Sequence, residues 1–386
     1  MKRILLILPN LDLGGTEAVV MNYLRAGVPF DFVVHGNNGH HEAEAQKLGA
    51  RIFRVPTRSE GFFKNIRAMR QLYKNHQEYN TVILCTEHAF GFIELVVAWW
   101  CRVKYRGAWS HFSNYQGGSR LKKWMHYPAR PWLRLFTNFR LACTAAAGRW
   151  LFGCNHRSLS TWFPTGGSMI NTNFDLVKNA IDLQKFAFDA EARRTLRDRV
   201  QMGNRLAVGI VGRLSTVKNH AFALRVFAQL QARTHEADKQ PMLYIIGDGD
   251  LRESLEAQTN ALGISDNVRF IGAVENVHEY YQALDVVIMP SLHEGFPMIA
   301  VEAQAAGLPL ILSDTLAHDI AVTPLVRYIG IGEAGVDAWA DAILAHVGDI
   351  ATSETQRGNP AHIQALTDAG FSITHAAQKL IKFLSA

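Results

Sequence analysis

The chain has 386 residues, 48% of them hydrophobic and 19% charged, a length that favours two domains over one core and a composition that excludes a disordered or fibrous protein. Its net charge of +6 is uneven: eleven Lys and Arg and no acid lie between Glu94 and Asp175, so the rest of the chain carries 6 minus 11, or −5. A one-signed interval of this kind bears on partners, not on fold.

At the amino end, Lys2 and Arg3 ahead of the apolar run Ile4 to Leu8 imitate a secretion signal. The run is short and no small-residue cleavage site follows, so it reads as a first β-strand. "NLDLGGTEA" then joins that strand to a helix, and Gly14 and Gly15 would let backbone approach a ligand. The stretch is not a GxGxxG fingerprint, which argues against a nicotinamide dinucleotide; a plain tight turn is the alternative. "FDFVVHG", "ARIFRVP" and "TVILCTE" read as further buried strands, separated by helical patterns such as "NIRAMRQLYKNHQ". The histidines of "HGNNGHH" read as a solvated loop. "AFGFIELVVAWWC" is shorter than the roughly 20 residues of a membrane span and contains Glu94, so a buried helix is expected. The four cysteines, Cys85, Cys101, Cys143 and Cys154, have no CxxC or metal-ligand spacing and read as reduced thiols of a cytosolic protein.

"SRLKKWMHYPARPWLRLFTNFR" interleaves Arg120, Lys122, Lys123, Arg130 and Arg134 with Trp124 and Trp132. Cations among aromatic and leucine side chains suit an anionic bilayer surface, at the inner face of the cell membrane. Nucleic acid would compete for such a stretch, but no nucleic-acid motif accompanies it. A solvated face over core aromatics is the third possibility.

Past a charge-dense seam at "LQKFAFDAEARRTLRDRV", strands and helices alternate again from "LAVGIVG" to "LPLILSD", and "FSITHAAQKLIKFLSA" closes the chain as an amphipathic helix. Strand–helix alternation in both halves predicts two Rossmann-like, doubly wound parallel-sheet domains facing a central cleft, α/β in class, with ligands at the carboxyl ends of the strands. The domains are expected at residues 1–185 and 186–371.

In "VGRLSTVKNH", Arg213 and Lys218 follow a strand beside a helix start and could form an anion site, or be solvated surface charges. Asp248 and Asp250 in "IIGDGDLRE" form a DxD at a strand–helix turn, where aspartate caps and glycine turns are expected without any metal. In "SLHEGFPMIAVEAQAAGLPLILSD", Pro297 suits a first helical turn, so Glu294 precedes the helix and Glu302 lies within it. A carboxylate on either side of exposed N–H groups suits a nucleotide sugar, with hydroxyls at both ends and phosphate between. A capping charge and an exposed helix residue are the bland alternative.

That last segment resembles the E-x7-E signature of retaining glycosyltransferases of family 4, which have the GT-B fold. "NLDLGGTEAVVMNYLR", "VKNAIDLQKF", "VGRLSTVKNH", "YIIGDGDLR" and "VRFIGAVENVHEYYQALDVVIMPS" match in order, so the resemblance spans nearly the whole chain, and its pattern is closest to bacterial enzymes of exopolysaccharide or capsule assembly. It implies that Arg213 and Lys218 bind the donor diphosphate and that Glu302 holds the ribose. Glu294, with the N–H groups of Gly295 and Phe296, would grip the transferred sugar. Gly14 and Gly15 would line the cleft, the base would lie near Gly247 and Val274, and the last helix, 372–386, would cross back onto the first domain. His111 in "GAWSHFSN" matches a histidine near the anomeric carbon. Glu17 and Glu87 are nucleophile candidates by position alone. The activity implied is metal- and cofactor-independent transfer of a hexose or N-acetylhexosamine from a UDP-sugar or similar donor to a carbohydrate acceptor, one carried on a lipid diphosphate at the membrane. A nucleotide-sugar epimerase and a non-catalytic carbohydrate-binding partner are the rival readings.

Overall fold

The computed structural model describes residues 3–12, 14–36, 39–112, 120–154, 173–234, 240–345 and 356–385, the side chains of 120–122 and 385 excepted. It divides into two compact units, Met1–Ile181 with Ser372–Ala386, and Asp182–Phe371.

In the first unit, β1 (Ile4–Leu8), β2 (Phe30–Val34) and β4 (Thr81–Cys85) are buried at every residue. That is why their sequences are continuous apolar runs: a parallel strand covered on both faces has no wet side to alternate with. With β3 (Ile52–Arg54), β5 (Tyr105–Ser110), β6 (Phe139–Ala142) and β7 (Asp175–Leu176) they form a seven-stranded parallel sheet in the order β3-β2-β1-β4-β5-β6-β7. The order reverses between β1 and β4. Crossovers through α1 (Gly15–Arg25) and α2 (Glu42–Lys47) run one way along the sheet. Those through α3 (Phe62–Asn75), α4 (Phe92–Trp100), α5 (Arg120–Phe136) and α6 (Ala145–Phe152) run the other way. Right-handed crossovers therefore put the two sets on opposite faces.

The second unit holds α7 (Leu183–Phe186), α8 (Ala190–Arg199), β8 (Ala207–Val211), α9 (His220–Arg233), β9 (Met242–Ile246), α10 (Arg252–Ala261) and β10 (Val268–Gly272). They are followed by α11 (Val277–Ala283), β11 (Val286–Met289), α12 (Met298–Ala305), β12 (Leu310–Ser313), β13 (Val326–Ile329), α13 (Gly335–Leu344) and α14 (Pro360–Asp368). Its six parallel strands run β10-β9-β8-β11-β12-β13, with the reversal between β8 and β11. Phe222 of α9 meets Trp339 of α13 edge to face at 5.7 Å, inside the core under that sheet. The starts of α8 and α14 are set by side chains: Asp189 accepts from the N–H groups of Glu191 and Ala192, and Asn359 from that of Ala361, with Pro360 opening α14. The last helix, α15 (Ile373–Ser385), joins the first unit, where Ile373 donates to the Ile181 carbonyl at 2.9 Å and Phe383 meets Phe139 at 5.6 Å.

Three local expectations change. The apolar run at Ala89–Cys101 is a helix with a buried side, at Leu95, Val97 and Ala98, but it ends in two exposed tryptophans. Neither Asp248 nor Asp250 caps α10, whose N-cap position is Leu251 and has no side-chain cap. Pro297 occupies the N-cap position of α12, one residue ahead of the first turn.

Candidate active site

The reversal between β8 and β11 is where a doubly wound sheet leaves a crevice at its carboxyl edge, and four predicted residues come to it from two chain segments. Arg213 and Lys218 follow β8; Glu294 follows β11, and Glu302 stands on α12 just beyond. The loops are laced together. Leu292 donates its N–H to the Val217 carbonyl at 2.8 Å, and the Asn219 amide reaches the Pro290 carbonyl at 3.1 Å. Asn219 holds a left-handed conformation, φ 56°, between a 3-10 turn at Thr216–Lys218 and α9. Gly212 and Gly247 let the loops after β8 and β9 approach as closely. Both have positive φ, 138° and 141°, and a Cβ on Gly247 would lie 2.0 Å from the Gly212 carbonyl oxygen, where no side chain fits.

Lys218 Nζ lies 2.7 Å from Glu294 Oε1, both largely sheltered from solvent. A desolvated ammonium held by one carboxylate still has two hydrogens to donate. Arg213 is different: its side chain is 69% exposed, with Asp250 at 3.6 Å, so its guanidinium is free to swing toward an anion. The amino end of α12 adds N–H groups that a helix leaves unpaired in its first turn, and the positive end of its dipole. Gly295 and Phe296 precede that end, the Phe296 ring packing on Phe371 at 5.5 Å. Gly247 lies between β9 and α10, and Val274, half-buried, follows β10.

Glu302 accepts a hydrogen bond from the Tyr281 hydroxyl at 2.9 Å. Burial drives its carboxyl up to about 7, against the lowering influence of the Tyr281 hydrogen bond and of the Lys218 and Lys185 charges. Tyr281 itself is fully buried, and its helix is fixed from behind. Arg357 donates to the Tyr281 carbonyl at 2.8 Å and to those of Gln282 and Leu284, and Arg193 to Gln282, Ala283 and Leu284. Sequence reasoning did not single out Tyr281, although the spacing Val277, Tyr281, Leu284 in "VHEYYQAL" puts it, and not Tyr280, on the apolar side.

In the first unit, Gly14 is the N-cap residue of α1 and Gly15 its first residue; a Cβ on Gly15 would meet nothing within 4 Å. The Glu17 carboxylate folds back over Gly14, and burial raises its pKa. His111, just past β5, is buried against Trp109 at 4.7 Å, with its Nε2 4.0 Å from Cys85 Sγ. Burial lowers it to about 4, a hydrogen bond to Asn179 opposing, so the imidazole is neutral at physiological pH.

On α5, Lys123, Trp124 and Trp132 are exposed, whereas the side chains of Arg120 and Lys122 lie outside the described residues. Arg130 turns inward instead. Its guanidinium donates to the Trp150 carbonyl at 2.5 Å, lies 3.2 Å from His126 Nε2 and covers the Tyr127 ring at 4.6 Å, because a buried carbonyl and aromatic rings lie within its reach. Arg134 is half-buried and hydrogen-bonds the Cys154 thiol.

Residues 193–349, which include Arg213, Lys218, Glu294 and Glu302, match the family Glycosyl transferases group 1. EpsF of Bacillus subtilis, assigned as a glycosyltransferase, is 32% identical over 354 residues, 89% of this chain and 87% of that protein. A D-inositol 3-phosphate glycosyltransferase of Kribbella flavida is 31% identical over 190 residues, 47% of this chain and 44% of its own length. Among solved structures, HepE of Anabaena in complex with UDP and glucose superimposes with a TM-score of 0.77 over 100% of both chains at 16% identity. WaaG, a glycosyltransferase of lipopolysaccharide biosynthesis, does so at 0.64 over 98% of both chains and 15% identity. The chain belongs to the glycosyltransferases, with the group 1 domain in its second unit and the GT-B fold.

Proposed function

We propose that the chain transfers a hexose or N-acetylhexosamine from a UDP-sugar, with retention at the anomeric carbon as in family 4, to a lipid-linked carbohydrate acceptor in exopolysaccharide or capsule assembly. The observation that carries this reading is the pairing of Lys218 with Glu294 at 2.7 Å beside the amino end of α12, with Glu302 on the same helix. The donor diphosphate sits against Lys218, Arg213 and the first turn of α12. As the glycosidic bond breaks, negative charge grows on the departing UDP, and Lys218, held in place by Glu294, stabilises it together with Arg213, which swings onto it. Arg213 and Lys218 thus supply the positive charge that a divalent metal supplies in other transferases. Glu302, ionised when the donor binds, accepts hydrogen bonds from the ribose hydroxyls. Glu294 and the N–H groups of Gly295 and Phe296 hold the sugar being moved, and the base lies by Gly247 and Val274. Gly14, Gly15 and neutral His111 serve the acceptor-side unit, where His111 meets a sugar hydroxyl as a hydrogen-bond partner and not as a cation. That HepE is solved with UDP and with UDP-glucose supports a uridine donor here.

The test is UDP release from a panel of UDP-sugars, without any added acceptor, by wild type and by Arg213→Ala/Lys218→Ala. Slow donor hydrolysis by wild type alone is expected. Hydrolysis by neither protein points to a non-catalytic binder, and an epimerised free sugar among the products points to an epimerase.

A further inference from the structure

The helices α3, α4 and α5 lie side by side on one face of the first sheet and touch through their aromatic residues. The Arg70 guanidinium covers the Trp100 ring at 4.6 Å, joining α3 to α4. Trp99 meets Phe136 at 5.6 Å and Phe92 stacks on Trp132 at 6.4 Å, joining α4 to α5. What faces outward is apolar to an unusual degree. Trp99 is 55% exposed, Trp100 58%, Trp132 54% and Trp124 72%, with Phe63 at the start of α3 83%. On α5 the outward row Trp124, Tyr127, Pro131 and Leu135 lies opposite the buried row His126, Ala129 and Leu133. The inward row is pinned: His126 Nδ1 accepts the Ala89 N–H at 2.9 Å, and its Nε2 lies 2.9 Å from the Trp150 carbonyl. The wet tryptophans are thus fixed in place by what lies beneath them.

Charge on these helices is one-signed. Residues 62–75, 92–100 and 120–136 contain nine Lys and Arg and a single acid, Glu94, which is buried and bound by Arg58 at 2.8 Å. Lys64, Arg67, Arg70 and Lys74 of α3 are all exposed. A second copy docked by a two-fold axis would set these cations against their own kind. Tryptophan and tyrosine side chains flanked by cations are instead what the interface of an anionic bilayer selects, the rings seated at headgroup level and the cations on phosphates.

We propose that the outer face of α3, α4 and α5 is one docking surface for an anionic phospholipid bilayer. Phe63, Trp99 and Trp100 sit at its lipid–water interface and the α3 cations on the headgroups. This deepens the reading of the enzyme as one that serves a lipid-linked acceptor and moves the contact beyond the α5 stretch legible in sequence.

Flotation of the full chain with vesicles tests it, using phosphatidylcholine alone and phosphatidylcholine with one-third phosphatidylglycerol. Wild type is expected to float with the anionic vesicles only. Lys64→Gln/Arg67→Gln/Arg70→Gln should weaken that partition by about 100-fold, since each cation near such a surface contributes a factor of about five. Lipids brominated near the headgroup should quench wild-type tryptophan emission, and less so in Trp99→Phe/Trp100→Phe, a variant that keeps the packing. The proposal is overturned if wild type stays in the aqueous fraction or floats equally with both vesicles. It is also overturned if the α3 variant floats undiminished while folded, as judged by its melting temperature, or if quenching is the same in both proteins. Self-association abolished by the same substitutions, without vesicle binding, overturns it too. UDP-sugar hydrolysis in solution is scored separately: its absence removes the transferase reading and leaves the docking surface standing.

Discussion

The carboxyl edges of the two sheets are built alike and furnished differently. Each has its order reversal, between β1 and β4 in one and between β8 and β11 in the other. At the second edge cations are kept, Lys218 against Glu294 and Arg213 open to solvent, while Glu302 is bonded to Tyr281 and driven up by burial. At the first, burial lowers His111 to about 4, which leaves it neutral, and raises Glu17 and Cys85 above their ordinary values. One topology thus carries an edge furnished with cations and an edge where the histidine is neutral. The difference comes from a few loop residues and not from the fold.

The largest effect should come from removing the cation most nearly buried at the charged edge. Lys218→Met is expected to lower UDP-sugar turnover by about 10²–10³-fold, read as initial rates of UDP release on protein shown folded by circular dichroism. An unchanged rate would make the two edges equivalent and break the contrast. Glu302→Gln should weaken UDP-sugar affinity by about ten- to a hundredfold above pH 8, the value of hydrogen bonds to a charged acceptor, measured by calorimetry. The same substitution sharpens a stability signature. Glu302 rises from its ordinary 4.5 to about 7 on folding. The folded state therefore binds more protons across that interval, and this group's contribution to stability is present below it and lost as pH rises through about 7. The melting temperature of the Gln variant should be correspondingly flatter between pH 5 and 7.

Tyr281→Phe removes a hydrogen bond that favours ionised Glu302. Donor affinity should then develop at a pH higher by at most about one unit, and should recover at alkaline pH. A loss of equal size at every pH would mean that Tyr281 only packs. The smallest effect belongs to the neutral edge: Gly15→Ala has open space for its methyl and should leave the melting temperature level or slightly raised, as helix propensity favours Ala by roughly 1 kcal/mol. Gly247→Ala at the charged edge should instead melt markedly lower, its Cβ meeting backbone 2.0 Å away at a φ of 141°.

The strands were readable because burial on both faces leaves unbroken apolar runs, and Glu294 before and Glu302 within α12 followed from Pro297. Contacts between distant segments were not readable. Nothing local in "VGRLSTVKNH" says that Lys218 finds Glu294, a pairing that depends on β8 and β11 being neighbours in the sheet. Arg130 looked like a surface cation because composition cannot tell that the Trp150 carbonyl lies within its reach. Trp99 and Trp100 read as core, since apolar residues at the end of a buried helix carry no mark of which turn emerges into water. β13 (Val326–Ile329) went unpredicted, being a short edge strand without alternation.

The central claim, that the edge between β8 and β11 holds a pyrophosphate on Lys218 and Arg213, is tested most directly by calorimetric titration of UDP and of uridine into wild type and Arg213→Ala/Lys218→Met. Wild type should bind UDP far more tightly than uridine, and the double variant should bind the two alike. Undiminished UDP binding by the double variant would contradict it.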